Sequence, residues 1–329
     1  MRLAIPFPIS FSIPARLRRP AWSLCLAAVG LSLHGQAGAA CPPAPQPLTP
    51  ALFQQAAAQA QDRGFLWRIR KEGRTSYLYG TLHVGRAEWM APGPLTQQAL
   101  AATEVTGLEL DPLDPGVQQD MASANAQAPQ DRPLPKALRE RLRRDWLAEC
   151  LPEAELGQAP AELQALSLTF MVGRRDGLQV VYGTDILLAL LAHGNDRKVV
   201  SLETGAAQMA ALLEPRAADA QRGVRETLDE VEQGRARQLL LKVADVWARG
   251  DLEALEHYGD WCDCLKTAQD RAQLKRLMDD RNPGMAERID AVHQGGQAIF
   301  AAVGALHMVG PTGLPALLAQ RGYQVERVQ

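Results

Sequence analysis

The sequence predicts a mixed α/β fold: a central mixed sheet built from two half-repeats, with flanking helices and a helical middle insertion. Three observations carry this. An apolar strand pattern ending in Gly-x-Leu-His occurs near each end of the chain, as Tyr77-Leu78-Tyr79-Gly80-Thr81-Leu82-His83 and as Phe300-Ala301-Ala302-Val303-Gly304-Ala305-Leu306-His307. Between them the apolar residues recur at three- and four-residue spacing, the mark of helices. Aromatic residues are only 5% of the 329 residues and hydrophobic ones 47%, which points to an Ala/Leu/Val core rich in helix.

The first 40 residues read as a signal peptide rather than as part of the fold. Arg16, Arg18 and Arg19 form a basic region, and Ala21 to Leu33 is an apolar run too short to span a membrane. Ala37-Gly38-Ala39 fits the small-x-small cleavage pattern, and so does Gly38-Ala39-Ala40, immediately before Cys41. Losing Arg2 with the other three takes the formal charge from −2 to −6. Export, to a periplasmic or extracellular site, is the expectation. A lipid anchor on Cys41 is a lesser alternative, because Gly38 stands where such sites carry Leu. No transmembrane span is expected in the mature chain, and the charge balance excludes a typical nucleic-acid binder.

From 41 to 64 a proline-rich lead-in precedes a first helix, with Thr49 as N-cap and Pro50 at the first helical position. Phe65–Arg70 and Ser76–Thr81 predict a hairpin closed at Lys71-Glu72-Gly73-Arg74, and Thr106–Leu110 a third strand. Gln118–Pro135 is polar and reads as a mobile loop. Helices are then expected over Pro135–Leu147, Pro160–Val172, Thr184–Ala192, Arg235–Ala248, Leu252–Tyr258 and Lys266–Asp280, with one strand, Lys198–Leu202, among them. The end of the chain alternates helix Gly284–Gln294, strand Ala298–Val303, helix Leu314–Gln320 and strand Tyr323–Val328.

Cys41, Cys150, Cys262 and Cys264 remain after the signal, an even number that suits two disulfides in an oxidising compartment. A bridge within Cys262-Asp263-Cys264 needs strain, so both are expected to pair outward, with Cys41 and Cys150 in an order the sequence leaves open. A metal site on Cys-x-Cys lacks a second nearby ligand cluster.

The chemistry-bearing candidates lie at strand ends. His83 and His307 each follow an apolar strand inside a glycine-flanked turn, Gly80 with Gly85 and Gly304 with Gly310. Glycine allows close backbone approach there. His193 reads as a helix-end residue facing the dipole, and His257 and His293 as surface residues. Glu109 follows a strand that should be buried, where a carboxylate needs a cation or metal. Asp185 and Glu203 stand at helix starts, and Arg281-Asn282 precedes Pro283. Two imidazoles with a carboxylate suit a divalent metal that activates water, and a nearby Arg suits a developing oxyanion. The serine-hydrolase elbow, the P-loop, the His-Glu-x-x-His helix and the dinucleotide-binding glycine turn are all absent from the sequence.

These residues resemble the TraB/GumN family, related to the Tiki proteases. Phe65-Leu66-Trp67-Arg68-Ile69 and Tyr79-Gly80-Thr81-Leu82-His83 are similar to its opening. Glu109, Tyr182-Gly183-Thr184-Asp185, Val199 to Glu203 with Gln208, Arg281-Asn282 and Phe300 to His307 follow in the family's order. The resemblance implies a catalytic domain over 65–329 and the fold of the erythromycin-esterase and ChaN-like proteins. It implies divalent-metal-dependent hydrolysis of a peptide or small-molecule substrate, with peptide-bond cleavage best supported for the Tiki branch. His83, His307 and Glu109 would be at the metal, with Glu109, Arg281 and Asn282 as catalytic groups. Gly80, Asp185, Glu203, Gln208 and Gly304 would bind substrate or support the ligands. Capture of haem or iron, as in ChaN-like relatives, and a non-catalytic peptide-binding scaffold are the alternatives.

Overall fold

The computed structural model describes residues 41–128 and 132–329; the signal-peptide expectation falls outside them. A six-stranded mixed sheet runs in the order β4-β3-β5-β2-β1-β6. Its strands are β1 Phe65–Lys71, β2 Arg74–Thr81, β3 Val105–Leu108, β4 Lys198–Ser201, β5 Ile299–Gly304 and β6 Gln324–Arg327. β1 alone runs against the rest: β2 pairs parallel with β5, and β5 with β3, and β3 with β4.

The hairpin closes as expected. Lys71 pairs with Arg74, and Glu72 (φ 52°) and Gly73 (φ 76°) take the left-handed conformation that a two-residue turn between twisted strands demands. The two Gly-x-x-His strands are direct neighbours, with Tyr77 opposite Phe300 and Gly80 opposite Val303. The two halves therefore form one continuous sheet rather than two half-sheets. β5 is at its centre, and Ile299, Phe300, Ala301 and Val303 are fully buried. A strand covered on both faces reads as an unbroken apolar run, as this one does.

Helices Lys136–Ala148, Ala161–Met171, Ala217–Glu232 and Arg235–Arg249 form the helical middle, packed around Trp146, Leu168 and Leu228. This unit docks on the sheet through Trp247, whose indole N–H donates to the Gly80 carbonyl at 2.8 Å. Three helices, Pro94–Ala101, Gly205–Leu212 and Ala217–Glu232, were not among the expected elements.

Other expectations need correction. Much of Gln118–Pro135 is not a loop: Pro115–Gln127 is a helix, started by Asp114, whose carboxylate accepts from the Gly116 and Val117 amides. Leu252–Tyr258 is two short helices, Leu252–Glu256 and Tyr258–Trp261, and Ala268–Leu277 ends well before Arg281. The cysteines pair as Cys41–Cys150 and Cys262–Cys264, not all outward. The short bridge forms because Asp263 takes a left-handed φ of 55°, bringing the two Cα atoms to 5.1 Å.

His293 is not a surface residue but is fully buried. Its Nδ1 meets Ser76 Oγ at 2.8 Å and its Nε2 meets the Lys71 carbonyl at 3.1 Å. Ser76 Oγ in turn accepts from the Ile299 amide at 3.0 Å. The Nε2–H donates to the Lys71 carbonyl, and the chain of bonds ties the hairpin to β5. Among the described residues no helix is long and apolar enough to cross a membrane.

Candidate functional site

Parallel strands deliver their C-terminal ends to one edge of the sheet, where ligands of α/β proteins gather. Here β2 leads to His83, β5 to His307, β3 to Glu109 and β4 to Glu203. The ladder ends at Leu108, two residues earlier than the sequence pattern suggests, and this frees Glu109 to turn across the edge.

His307 lies in the turn Ala305–Met308 and is 2% exposed. Its Nδ1 is 2.6 Å from Asn282 Oδ1. The Asn282 amide nitrogen donates to the Thr312 carbonyl at 2.8 Å, so its oxygen must face the ring. Nδ1 therefore carries the proton and the Nε2 lone pair points into the site. Burial pulls the His307 pKa down to about 4, with Arg281 and His83 adding to the effect and Glu109 opposing it. The ring is neutral at physiological pH.

His83 follows the same plan from the other strand. Its Nδ1 is 3.2 Å from Asp185 Oδ2. Asp185 opens the helix Thr184–Gly194, which is held here by paired bonds between Leu82 and Thr184. Gly183 is required at this contact, since a Cβ there would stand 2.8 Å from the His83 carbonyl oxygen and 2.5 Å from Asp185 Oδ1. Burial lowers the His83 pKa, but the Asp185 bond and charge and the Glu109 charge outweigh it and raise it to about 9. The side chain is 38% exposed, with the edge of Phe170 against its ring.

Glu109 and Arg281 join the two histidines. Glu109 Oε1 accepts from the Gly304 amide at 2.6 Å and Oε2 from Arg281 Nη2 at 2.8 Å. A Cβ on Gly304 would stand 3.1 Å from that Oε1, which is why glycine suits the position. Burial alone would raise the Glu109 pKa. The charges of His307, present only once that ring is protonated in acid, and of Arg281 and His83, with the Gly304 amide, reverse this and hold it at about 2. Arg281 also donates Nε to Glu203 Oε2 at 3.0 Å and Nη1 to the Leu277 carbonyl at 2.9 Å, and it grips Glu203 Oε1 through Nη2. Nη1 approaches His307 Nε2 at 3.3 Å. Burial raises the Glu203 pKa against the pull of Arg281. Gln208 Nε2 supports Glu203 Oε1 at 3.3 Å.

Glu109, Glu203, Gln208, Arg281, Asn282, Gly304 and His307 form one bonded network at this edge, His83 and Asp185 form a separate pair, and the Gly80 carbonyl takes the Trp247 bond. A cavity of about 700 Å³ opens against Glu203 and Arg281, between the helices Gly205–Leu212 and Asn282–Gln294. Sequence reading assigned no site role to Phe170, and nothing in its helical context marks it. His193 does more than face a helix end: its Nε2 pairs with Asp111 Oδ2 at 2.7 Å. Both members carried a signal, since Asp111 follows Glu109 at the strand end.

Among the described residues no group of three or more His, Cys, Asp or Glu stands together in ready ligating geometry. Arg281 holds the inward faces of Glu109 and His307. The donor chemistry nonetheless fits a divalent ion. Both histidines are anchored through Nδ1, the arrangement that aims Nε2 at a metal. Glu109 is ionised, and Asp185 Oδ1 is buried without a hydrogen-bond partner beside His83. His83, His307 and Glu109 are the residues that could hold the ion.

The fold and site define an α/β protein with a His/Glu/Arg cluster at the ends of parallel strands. The family model of the TraB/PrgY/gumN family matches residues 65–327, and the chain belongs to that family. No curated protein and no solved structure matches it.

Proposed function

We propose that this protein is an exported, divalent-metal-dependent hydrolase that acts as a peptidase. The observation that carries the reading is the paired anchoring of His83 and His307 through Nδ1, with the His307 Nε2 and Glu109 Oε2 both turned to the Arg281 guanidinium. His83, His307 and Glu109 would hold the ion, which would polarise the substrate carbonyl and acidify a water. A carboxyl held near a pKa of about 2 is a weak proton acceptor at neutral pH, which favours Glu109 as ligand over Glu109 as general base. Asn282 and Asp185 fix the tautomers and ring orientations. Arg281, oriented by Glu203, supplies positive charge beside oxygen charge that develops in the reaction. The cavity beside Glu203 gives a substrate access to Arg281. Two disulfides support an oxidising, exported setting.

The test is cleavage of a peptide library by the purified chain, read by mass spectrometry. Treatment with chelator should abolish cleavage, and one divalent ion should restore it. His83→Ala combined with His307→Ala should remain folded by circular dichroism and stay inactive with every ion. Equal cleavage by wild type and the double variant would overturn the proposal.

A further inference from the structure

The site above makes no use of Cys262-Asp263-Cys264, whose ring is far smaller than that of the other disulfide. Cys41–Cys150 closes a sequence separation of 109, whereas Cys262–Cys264 closes a separation of 2. In the chain-entropy account, so small a ring constrains the unfolded chain little and gains correspondingly little stability. It holds Asp263, a residue with a Cβ, at φ 55°, as Cys150 of the longer bridge is held at φ 53°. That conformation costs about 1–3 kcal/mol, which opening the ring can release.

The two sulfurs are also unequal. Cys262 is 6% exposed, while Cys264 is half-buried, next to exposed Asp263 and Lys266. Cys262 Sγ accepts the Cys264 backbone N–H at 3.1 Å, and the Tyr258 hydroxyl lies 3.5 Å from Cys264 Sγ. The preceding short helix is fixed by Trp261, whose indole donates to the Ala254 carbonyl at 2.7 Å. An accessible sulfur is thus joined to a buried one already supplied with a donor for negative charge.

We propose that Cys262–Cys264 is a thiol–disulfide exchange site that oxidises paired thiols of polypeptides. A client thiolate attacks Cys264 Sγ, the Cys262–Cys264 bond breaks, and its electron pair leaves on Cys262 Sγ, where the Cys264 N–H receives it. The client's second thiolate then attacks its own sulfur in the mixed disulfide and releases Cys264 as thiolate. The client loses two electrons and its two thiol protons. The pair gains the two electrons and takes up two protons, ending as dithiol. The assignment is independent of the hydrolase reading.

The experiment equilibrates the full, disulfide-intact chain in glutathione buffers of graded ratio, traps free thiols by alkylation and maps them by mass spectrometry. Cys262 and Cys264 should become labelled at a ratio at least tenfold less reducing than that which opens Cys41–Cys150. In oxidised glutathione, Cys262→Ser should form a mixed disulfide at Cys264, whereas Cys264→Ser should leave Cys262 unmodified. Stoichiometric oxidised wild type should introduce disulfides into reduced, unfolded ribonuclease, and the Cys262→Ser/Cys264→Ser chain should not. Joint opening of both bridges, earlier opening of Cys41–Cys150, or no transfer to ribonuclease would overturn the assignment.

Discussion

Replacing Arg281 by Met tests whether its guanidinium is the counter-charge that allows two buried carboxylates to coexist. Arg281 is 11% exposed, Glu109 11% and Glu203 7%. The change keeps most of the side-chain volume but strands both carboxylates and leaves the Leu277 carbonyl without its donor. Removing one partner of a buried pair costs about 3–5 kcal/mol. In a domain of this size that lowers Tm by roughly 6–10 °C, at about 2 °C per kcal/mol. The assay is urea and thermal unfolding of the chelator-treated protein, followed by tryptophan fluorescence.

The deficit has a pH signature. Without Arg281 the folded-state carboxyl pKa values rise above their unfolded values. Between those values the folded variant binds protons that its unfolded chain gives up, so the variant recovers stability as pH falls. The deficit at pH about 5 should therefore be smaller than at pH about 8. Adding Glu203→Gln to Arg281→Met removes one stranded charge and should return about 1–3 kcal/mol. A deficit below about 1 kcal/mol, unchanged with pH, would place Arg281 among ordinary surface pairs and refute the reasoning.

Asn282→Ala removes the acceptor that fixes the His307 tautomer, and should cut metal affinity or hydrolysis about 10–100-fold with the fold retained; calorimetry and the peptide assay measure this. Ser76→Ala strips the partner from the His293 Nδ1 and the Ile299 amide, and should cost about 1–3 kcal/mol per stranded group by urea unfolding. Replacing Cys41 and Cys150 together by Ala opens a loop of 109 residues, and should cost up to about 4–5 kcal/mol, read by the shift of the urea midpoint.

Much of the site was legible because sheet proteins place chemistry where strands end. The Gly-x-Leu-His echo identified β2 and β5, and their parallel pairing brings both histidines to one edge. Glu109 was legible as a charge after an apolar strand. Asn282 and Asp185 were named as site residues, but not their pairing: they reach His307 and His83 over separations of 25 and 102 residues, and spacing carries no information at that range. His293 was misread because its polar sequence neighbours, Gln294 and Gly295, say nothing of the hairpin that covers it. The helix Pro115–Gln127 did carry a signal, Asp114 as N-cap with Pro115 at the first position, but its polar composition resembles that of a loop. The helix Ala217–Glu232 hides its stripe of Ala220, Val224 and Leu228 among charges. The cysteine pairing turned on a single backbone angle at Asp263, which composition does not reveal.

The central claim is that His83, His307 and Glu109 together grip one cation. Calorimetric titration of divalent ions into chelator-treated wild type, His83→Ala, His307→Ala and Glu109→Gln chains measures this directly. One ion per wild-type chain, with binding weakened at least tenfold in each variant, is the predicted result. An unbound wild type, or the same stoichiometry and affinity in all four chains, would contradict it.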